Sequence, residues 1–180
     1  VSWQALDSRV VYENRWIRVR EDAVVRPDGA EGIYGVVEMV SPAVFVVALT
    51  AADEVVLVAQ ERYTTGARSL EVPAGASDGE DPLDAARREL REETGLLAAE
   101  WRALGRMNAL NGIANAPELV FLATGLAPAP DGDERHEEGI TEVLRVPFPE
   151  VLRMIAGGAI ADGETIAALA FAGIALGRFA

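Results

Sequence analysis

Three glutamates, Glu89, Glu92 and Glu93, fall close together in the stretch "GEDPLDAARRELREETGL" from Gly79 to Leu96. Residues three and four apart are neighbours on a helix, so all three carboxylates would project from one face. The local signals predict a helix over 82–94. Asp81 suits the N-cap, Pro82 the first helical position, and Asp84 the positive N-terminal end. Gly95 suits the left-handed residue that closes the helix. Leu83, Ala86 and Leu90 recur at helical spacing and form the core-facing stripe. The glutamates therefore repel one another and also sit at the negative end of the helix dipole, each effect worth a few tenths of a kcal/mol or more. Arg88 and Arg91 offset only part of this. A divalent cation would turn both penalties into attractions, and hard oxygen ligands suit Mg²⁺ or Mn²⁺. The bland alternative is a solvated acidic face.

The residues around the cluster separate these readings. Glu80, a gap of seven residues, and then Arg88-Glu89-Leu90-Arg91-Glu92-Glu93-Thr94-Gly95-Leu96 resemble the Nudix box, G-x5-E-x7-R-E-U-x-E-E-x-G-U with U aliphatic. Every fixed position from Glu80 onward matches. One departure is visible: four residues, not five, separate Gly75 from Glu80. The segments "NRWIRVREDAVVRPDG", "QERYTTGARSLEVPAG" and "ITEVLRVPFPEVLRMIAGGAIADGETIAALA" are similar to ADP-ribose and nucleoside-diphosphate-sugar pyrophosphatases. The likeness thus covers nearly the whole chain.

That resemblance implies an α/β fold, an αβα sandwich with a mixed β-sheet and a small N-terminal antiparallel β-subdomain. Residues 1–41 would form the subdomain and serve dimerisation; residues 42–180 would form the catalytic domain. It implies a homodimer and hydrolysis of a pyrophosphate linkage assisted by two or three Mg²⁺ or Mn²⁺ ions. Glu89 and Glu93 match the main metal ligands, Glu92 a third, catalytic residue that supports additional metals or polarises their waters, and the carbonyl of Ala74 another ligand. Arg88 and Glu80 read as an ion pair that orients the carboxylates, with Gly75 and Gly95 shaping the loop and the helix end. The water-activating base of such enzymes comes from an acidic loop, here "DGDERHEEGITEV", with Glu137 and Glu138 as candidates and Glu138 ahead. Arg62 matches a substrate-contacting arginine, Glu71 could bond a sugar or nucleobase edge, and Trp16 could stack on a base. Where ADP-ribose enzymes usually carry a proline, this chain has Asn111, which leaves the identity of the sugar open. Two rival readings are a house-cleaning hydrolase of nucleoside triphosphates and a non-catalytic nucleotide-sugar sensor. The long N-terminal extension speaks against the first, and the intact glutamate set against the second.

The elements that must hold these residues are partly readable. "RVVYEN", "WIRVREDAVV" and "GIYGVVEMV" predict strands, the last two separated by a Pro-Asp-Gly turn. "AVFVVALT" and "EVVLVAQERY" flank "AADE" and predict a hairpin of buried strands. "RSLEVPAGA" predicts a strand ending at Pro73. Later strands are expected in "EWRALGRMNAL", "APELVFLATGL" and "ITEVLRVPF", with helices in "PEVLRMIAGG" and from about Asp162 onward.

Composition limits the remaining classes. The 180 residues suffice for one domain and a small appendage. A net charge of -13 argues against nucleic-acid binding, which needs basic surface. All sixteen basic residues are Arg, so a lysine-dependent phosphate loop and Schiff-base chemistry are excluded. There is no cysteine, hence no disulfide. No apolar run reaches membrane-spanning length and no signal peptide is visible, so a cytoplasmic location is the expectation. His136, the sole histidine, lies in the acidic loop and is set aside as incidental.

Overall fold

The chain opens with β1 (Gln4–Glu13), β2 (Ile17–Val25) and β3 (Glu31–Met39), an antiparallel meander. Asn14 builds the first turn: its Oδ1 accepts the N–H groups of Trp16 and Ile17, both at 2.9 Å. The second turn closes when the Gly29 N–H donates to the Arg26 carbonyl at 2.9 Å, with Gly29 in the left-handed region at φ 88°. The computed structural model, which describes residues 2–179, adds β9 (Ala114–Asn115) parallel to β3. The meander thus forms one compact unit together with residues 107–118. The second unit comprises residues 43–106 and the chain from Leu119 onward.

Two sheets build the second unit. One has the order β7-β4-β10-β8, from β4 (Ala43–Ala48), β7 (Ala74–Ala76), β8 (Leu96–Asn108) and β10 (Pro117–Pro128). The other has the order β11-β5-β6, from β5 (Glu54–Arg62), β6 (Ala67–Glu71) and β11 (Ile140–Pro147), all antiparallel. The expected β4–β5 hairpin is corrected here. The two strands meet at a single bridge, Leu49 to Val55, and then join different sheets. Both are buried on both faces, with Val44, Val46 and Val47 and Val55 to Val58 all at 0 % exposure. Each strand takes two other neighbours, β4 between β7 and β10 and β5 between β11 and β6.

The strand expected to end at Pro73 is also corrected. β6 stops at Glu71, and the chain resumes as β7 after Pro73, now paired with β4. Proline has no N–H for a ladder, but its carbonyl still accepts from the Val46 N–H at 2.8 Å. Pro73 is the crossing point between the sheets, and it delivers Ala74 and Gly75 to the edge of the β4 sheet.

Helix α1 (Pro82–Thr94) occupies the predicted span. Asp81 caps it by accepting the Leu83 N–H at 2.9 Å, and Gly95 ends it at φ 68°. Ala85, Ala86 and Leu90 bury against Val44, Val46, Ala48, Val56, Leu96, Phe121 and Ala123, with Leu83 packed at the margin. Side chains alternate across a strand, so Phe45 and Val47 face away from α1. Helix α3 (Gly163–Ala175) is the second helix packed on β4. Asp162 caps α3 through the Thr165 N–H at 2.7 Å, and the Thr165 hydroxyl accepts the Val72 N–H at 3.1 Å. Helix α2 (Phe148–Ala156) packs on β11 and β5.

Candidate active site

The last turns of α1 lie against β7, and burial decides between the two readings of the glutamates. Glu89 is 7 % exposed and Glu93 5 %, so neither belongs to a solvated face. The Glu89 carboxylate rests on Gly75: a Cβ at that position would fall 2.1 Å from Glu89 Oε1. Glycine is needed here for the close approach, not for an unusual φ. One residue earlier, the Ala74 N–H donates to Glu93 Oε2 at 3.0 Å. A three-residue strand thus receives both carboxylates.

The electrostatics follow from this packing. Burial raises the Glu89 carboxyl above its usual range, although Arg88 opposes the shift. Burial pushes Glu93 up to about 8, helped by the charges of Glu89 and Glu138 and opposed by the Ala74 N–H and Arg62. Arg88 gathers the site. It donates to Glu80 at 3.2 Å, to Glu89 at 2.8 Å, to Glu92 at 3.1 Å and to the Ala76 carbonyl at 2.9 Å. One guanidinium therefore links the start of the box, its helix and β7.

The structure brings Ala74, Gly75, Glu80, Arg88, Glu89, Glu92 and Glu93 together. Of the two loop acids, Glu138 is the one whose charge is felt at both Glu89 and Glu93. Glu137 joins the same turn through its N–H to the Glu134 carbonyl at 2.9 Å. Arg62 and Glu71 are joined to each other by two parallel hydrogen bonds, Nε to Oε1 at 2.9 Å and Nη2 to Oε2. Gln60 adds a long contact to Glu71 at 3.5 Å. Glu71 is 4 % exposed, so its carboxylate is satisfied inside the protein. Trp16 belongs to the N-terminal unit and is 58 % exposed, with the Arg15 guanidinium 4.0 Å from its ring centroid.

Glu134 escaped the sequence reading, and so did its pairing with Arg91. Arg91 Nη2 donates to Glu92 Oε1 at 2.7 Å and to Glu134 Oε1 at 2.9 Å. Arg91 occupies the variable position of the box, and Glu134 sits in an aperiodic loop; only their opposite charges hinted at a pairing.

The donor set fits a hard divalent cation. Carboxylate oxygens from Glu89 and Glu93 are buried where an uncompensated negative charge is costly, and Gly75 leaves the room a methyl group would fill. Among the described residues no three acidic or histidine side chains form a ready-made metal cluster; Arg88 donates to Glu89 and Glu92, Arg91 to Glu92, and the Ala74 N–H to Glu93.

The chain resembles known proteins over most of its length. Residues 39–169 match the family model of the NUDIX domain, and residues 3–37 match that of the nucleoside diphosphate sugar hydrolase N-terminal domain. The chain is 34 % identical over 167 residues to an ADP-ribose pyrophosphatase of Mycobacterium tuberculosis, covering 92 % of this chain and 80 % of the relative. It is 35 % identical over 130 residues to a GDP-mannose pyrophosphatase of Yersinia pestis, covering 67 % of this chain and 64 % of that one. A crystal structure of an ADP compounds hydrolase superposes with a TM-score of 0.84 at 20 % identity, covering 99 % of this chain and 96 % of the other. That last likeness speaks to the fold alone.

Proposed function

This chain belongs to the NUDIX family, and we propose that it hydrolyses the pyrophosphate bond of a nucleoside diphosphate linked to a sugar. It is a pyrophosphohydrolase, and the products are a nucleoside monophosphate and a sugar phosphate. The observation that carries this reading is the burial of Glu89 and Glu93 against Ala74 and Gly75. The N-terminal match and the ADP-ribose and GDP-mannose relatives support the sugar-linked class over free triphosphates.

Members of this family generally use divalent metals; here Mg²⁺ or Mn²⁺, two or three ions, would be held by Glu89, Glu93, Glu92 and the Ala74 carbonyl. Such ions, when bound, neutralise phosphate charge and lower the pKa of a coordinated water. The chain's own residues do the rest. Arg88 holds Glu89 and Glu92 in place through its shared guanidinium, with Glu80 as its counter-charge. Glu138 accepts the proton of the attacking water, its electrostatic reach to Glu89 and Glu93 favouring it over Glu137. Arg62, fixed by Glu71, presents a positive charge felt at Glu93 and would orient a substrate phosphate. This assigns Glu71 to holding Arg62 more than to touching the sugar. A homodimer is proposed as well. It is supported by the exposed edge strand β1, whose Leu6, Val10 and Tyr12 are 59 %, 53 % and 55 % exposed. No described helix is long and apolar enough to cross a membrane, and a cytoplasmic site of action is part of the proposal.

The test is a substrate panel of ADP-ribose, ADP-glucose, UDP-glucose, GDP-mannose and nucleoside triphosphates with Mg²⁺, read by phosphate release after phosphatase treatment for the sugar-linked diphosphates and after inorganic pyrophosphatase treatment for the triphosphates. Turnover of the sugar-linked diphosphates is expected. Turnover of triphosphates alone, or tight binding of one nucleotide without turnover, would overturn the reading.

A further inference from the structure

The loop that carries Glu138 is tied to the end of α1 by contacts outside the glutamate cluster. At its start, the Ala129 N–H donates to the Gly95 carbonyl at 2.8 Å. At its end, the Ile140 N–H donates to the Arg135 carbonyl at 2.9 Å, and Ile140, 4 % exposed, pairs with Gln60 of β5. Between these ends one residue concentrates the contacts. The Glu134 N–H donates to the Glu92 carbonyl at 2.8 Å, and its carboxylate accepts from Arg91 at 2.9 Å. The Glu134 carbonyl in turn accepts the N–H groups of Glu137 at 2.9 Å and Glu138 at 3.3 Å. Asp133, beside it, forms an ion pair with Arg135 at 2.8 Å and lies against Gly95. The turn that places Glu138 is therefore built on the Glu134 backbone, which rests on the Glu92 carbonyl, and the Glu134 side chain adds the ion pair that holds this backbone to Arg91.

We propose that Glu134 is a positioning residue, a clasp that fixes the Glu138 turn over α1 through Arg91. This rests on Glu138 being the proton acceptor. A carboxylate that must meet a water within hydrogen-bond distance gains little from a loop free to swing, and misplacement of about 1 Å can cost about a hundredfold in rate. The ion pair itself is exposed, with side chains at 30 % and 46 %, so it contributes little to stability. That contrast makes the clasp distinguishable from a structural contact.

The experiment compares the wild type, E138Q, E134A, R91E, E134R and the double variant R91E/E134R with ADP-ribose and Mg²⁺, together with amide exchange of residues 129–139 without metal. E134A should lower kcat by about ten- to a hundredfold while KM changes less than about twofold and Tm by less than about 3 °C. Its loop should exchange faster. The charge-swapped double variant should recover much of the kcat lost by E134R, whereas the loss in R91E also includes the contact of Arg91 with Glu92 at 2.7 Å. E138Q inactive with E134A at wild-type kcat overturns the clasp alone. E138Q at wild-type kcat overturns the assignment of the base, and the clasp with it. A fall in kcat for E134A that tracks a large fall in Tm, with no recovery in the swapped pair, shows Glu134 to be merely structural.

Discussion

Glu93→Gln should make the metal-free protein more stable at pH 8, although it should remove the activity. The magnitude comes from the position of the carboxyl. In the folded chain burial pushes Glu93 up to about 8, against an ordinary value of 4.5. Below the ordinary value both folded and unfolded chains carry the proton, and Glu93 contributes nothing to stability. Between the two values the unfolded chain releases the proton while the folded chain retains it, so stability falls as pH rises. Above about pH 8 both forms are ionised and the whole penalty is present. At about 1.4 kcal/mol for each pH unit, the gap amounts to roughly 5 kcal/mol. Glutamine carries no such charge, and its amide oxygen can still accept the Ala74 N–H that now meets Glu93 Oε2 at 3.0 Å. Its NH₂ group needs a partner of its own, which takes back roughly 1 kcal/mol. The net gain at pH 8 is then on the order of 3–4 kcal/mol, or a Tm higher by about 10 °C for a protein of this size.

Calorimetric melts of both proteins in EDTA at pH 5.5 and pH 8 would measure this. The difference in Tm between variant and wild type should be small at pH 5.5 and large at pH 8. Added Mg²⁺ should raise the wild-type Tm at pH 8 and leave that of the variant nearly unchanged, because a ligand stabilises only the state it binds. A variant that melts below the wild type at pH 8, or a difference that does not grow with pH, would refute the idea that the folded chain holds an uncompensated charge.

Gly75→Ala should lower kcat by on the order of a hundredfold and weaken Mg²⁺ affinity in titration calorimetry, because its Cβ would land 2.1 Å from Glu89 Oε1; an active variant would show that Glu89 can relocate. Arg62→Ala should cost about 2–3 kcal/mol in urea denaturation by leaving the 4 % exposed Glu71 without its partner. Glu71→Gln should cost less, since an amide oxygen can still accept from the guanidinium; equal losses would argue against a buried pair. Asp81→Ala should cost about 1 kcal/mol through the lost cap to the Leu83 N–H, with kcat unchanged.

The sequence spoke most clearly where physics is local. The caps Asp81 and Gly95, the proline at the first helical position and the stripe of Leu83, Ala86 and Leu90 all lie within one short segment, and α1 has the predicted limits. Strand partners are different. A continuous apolar run such as "EVVLVAQ" says that both faces are buried but not which strands cover its edges, so β4 and β5 read as a hairpin when they share one bridge. Pro73 read as an end because it cannot donate to a ladder; it is a crossing because its carbonyl still can accept. The pairings Arg62–Glu71 and Arg91–Glu134 join residues from separate elements, 9 and 43 positions apart. No periodicity marks such pairs, so their charges alone could suggest a partner.

The shortened loop between Gly75 and Glu80 leaves Gly75 against Glu89 and Glu80 paired with Arg88. What sets Gly75 beneath Glu89 is the pairing of β7 with β4, Val44 opposite Gly75, not the length of chain that follows. The missing residue must be absorbed between Ala76 and Asp81, and there the backbone turns sharply: Asp78 lies at φ 47° and Gly79 at φ 85°, and the Glu80 N–H donates back to the Ser77 carbonyl at 2.8 Å. Left-handed conformations are free for glycine and tolerated by aspartate, so two adjacent residues of these types can close a tight turn. Glu80 still reaches Arg88 at 3.2 Å. The contacts that fix the carboxylates thus come from the strand and the helix on either side of the loop.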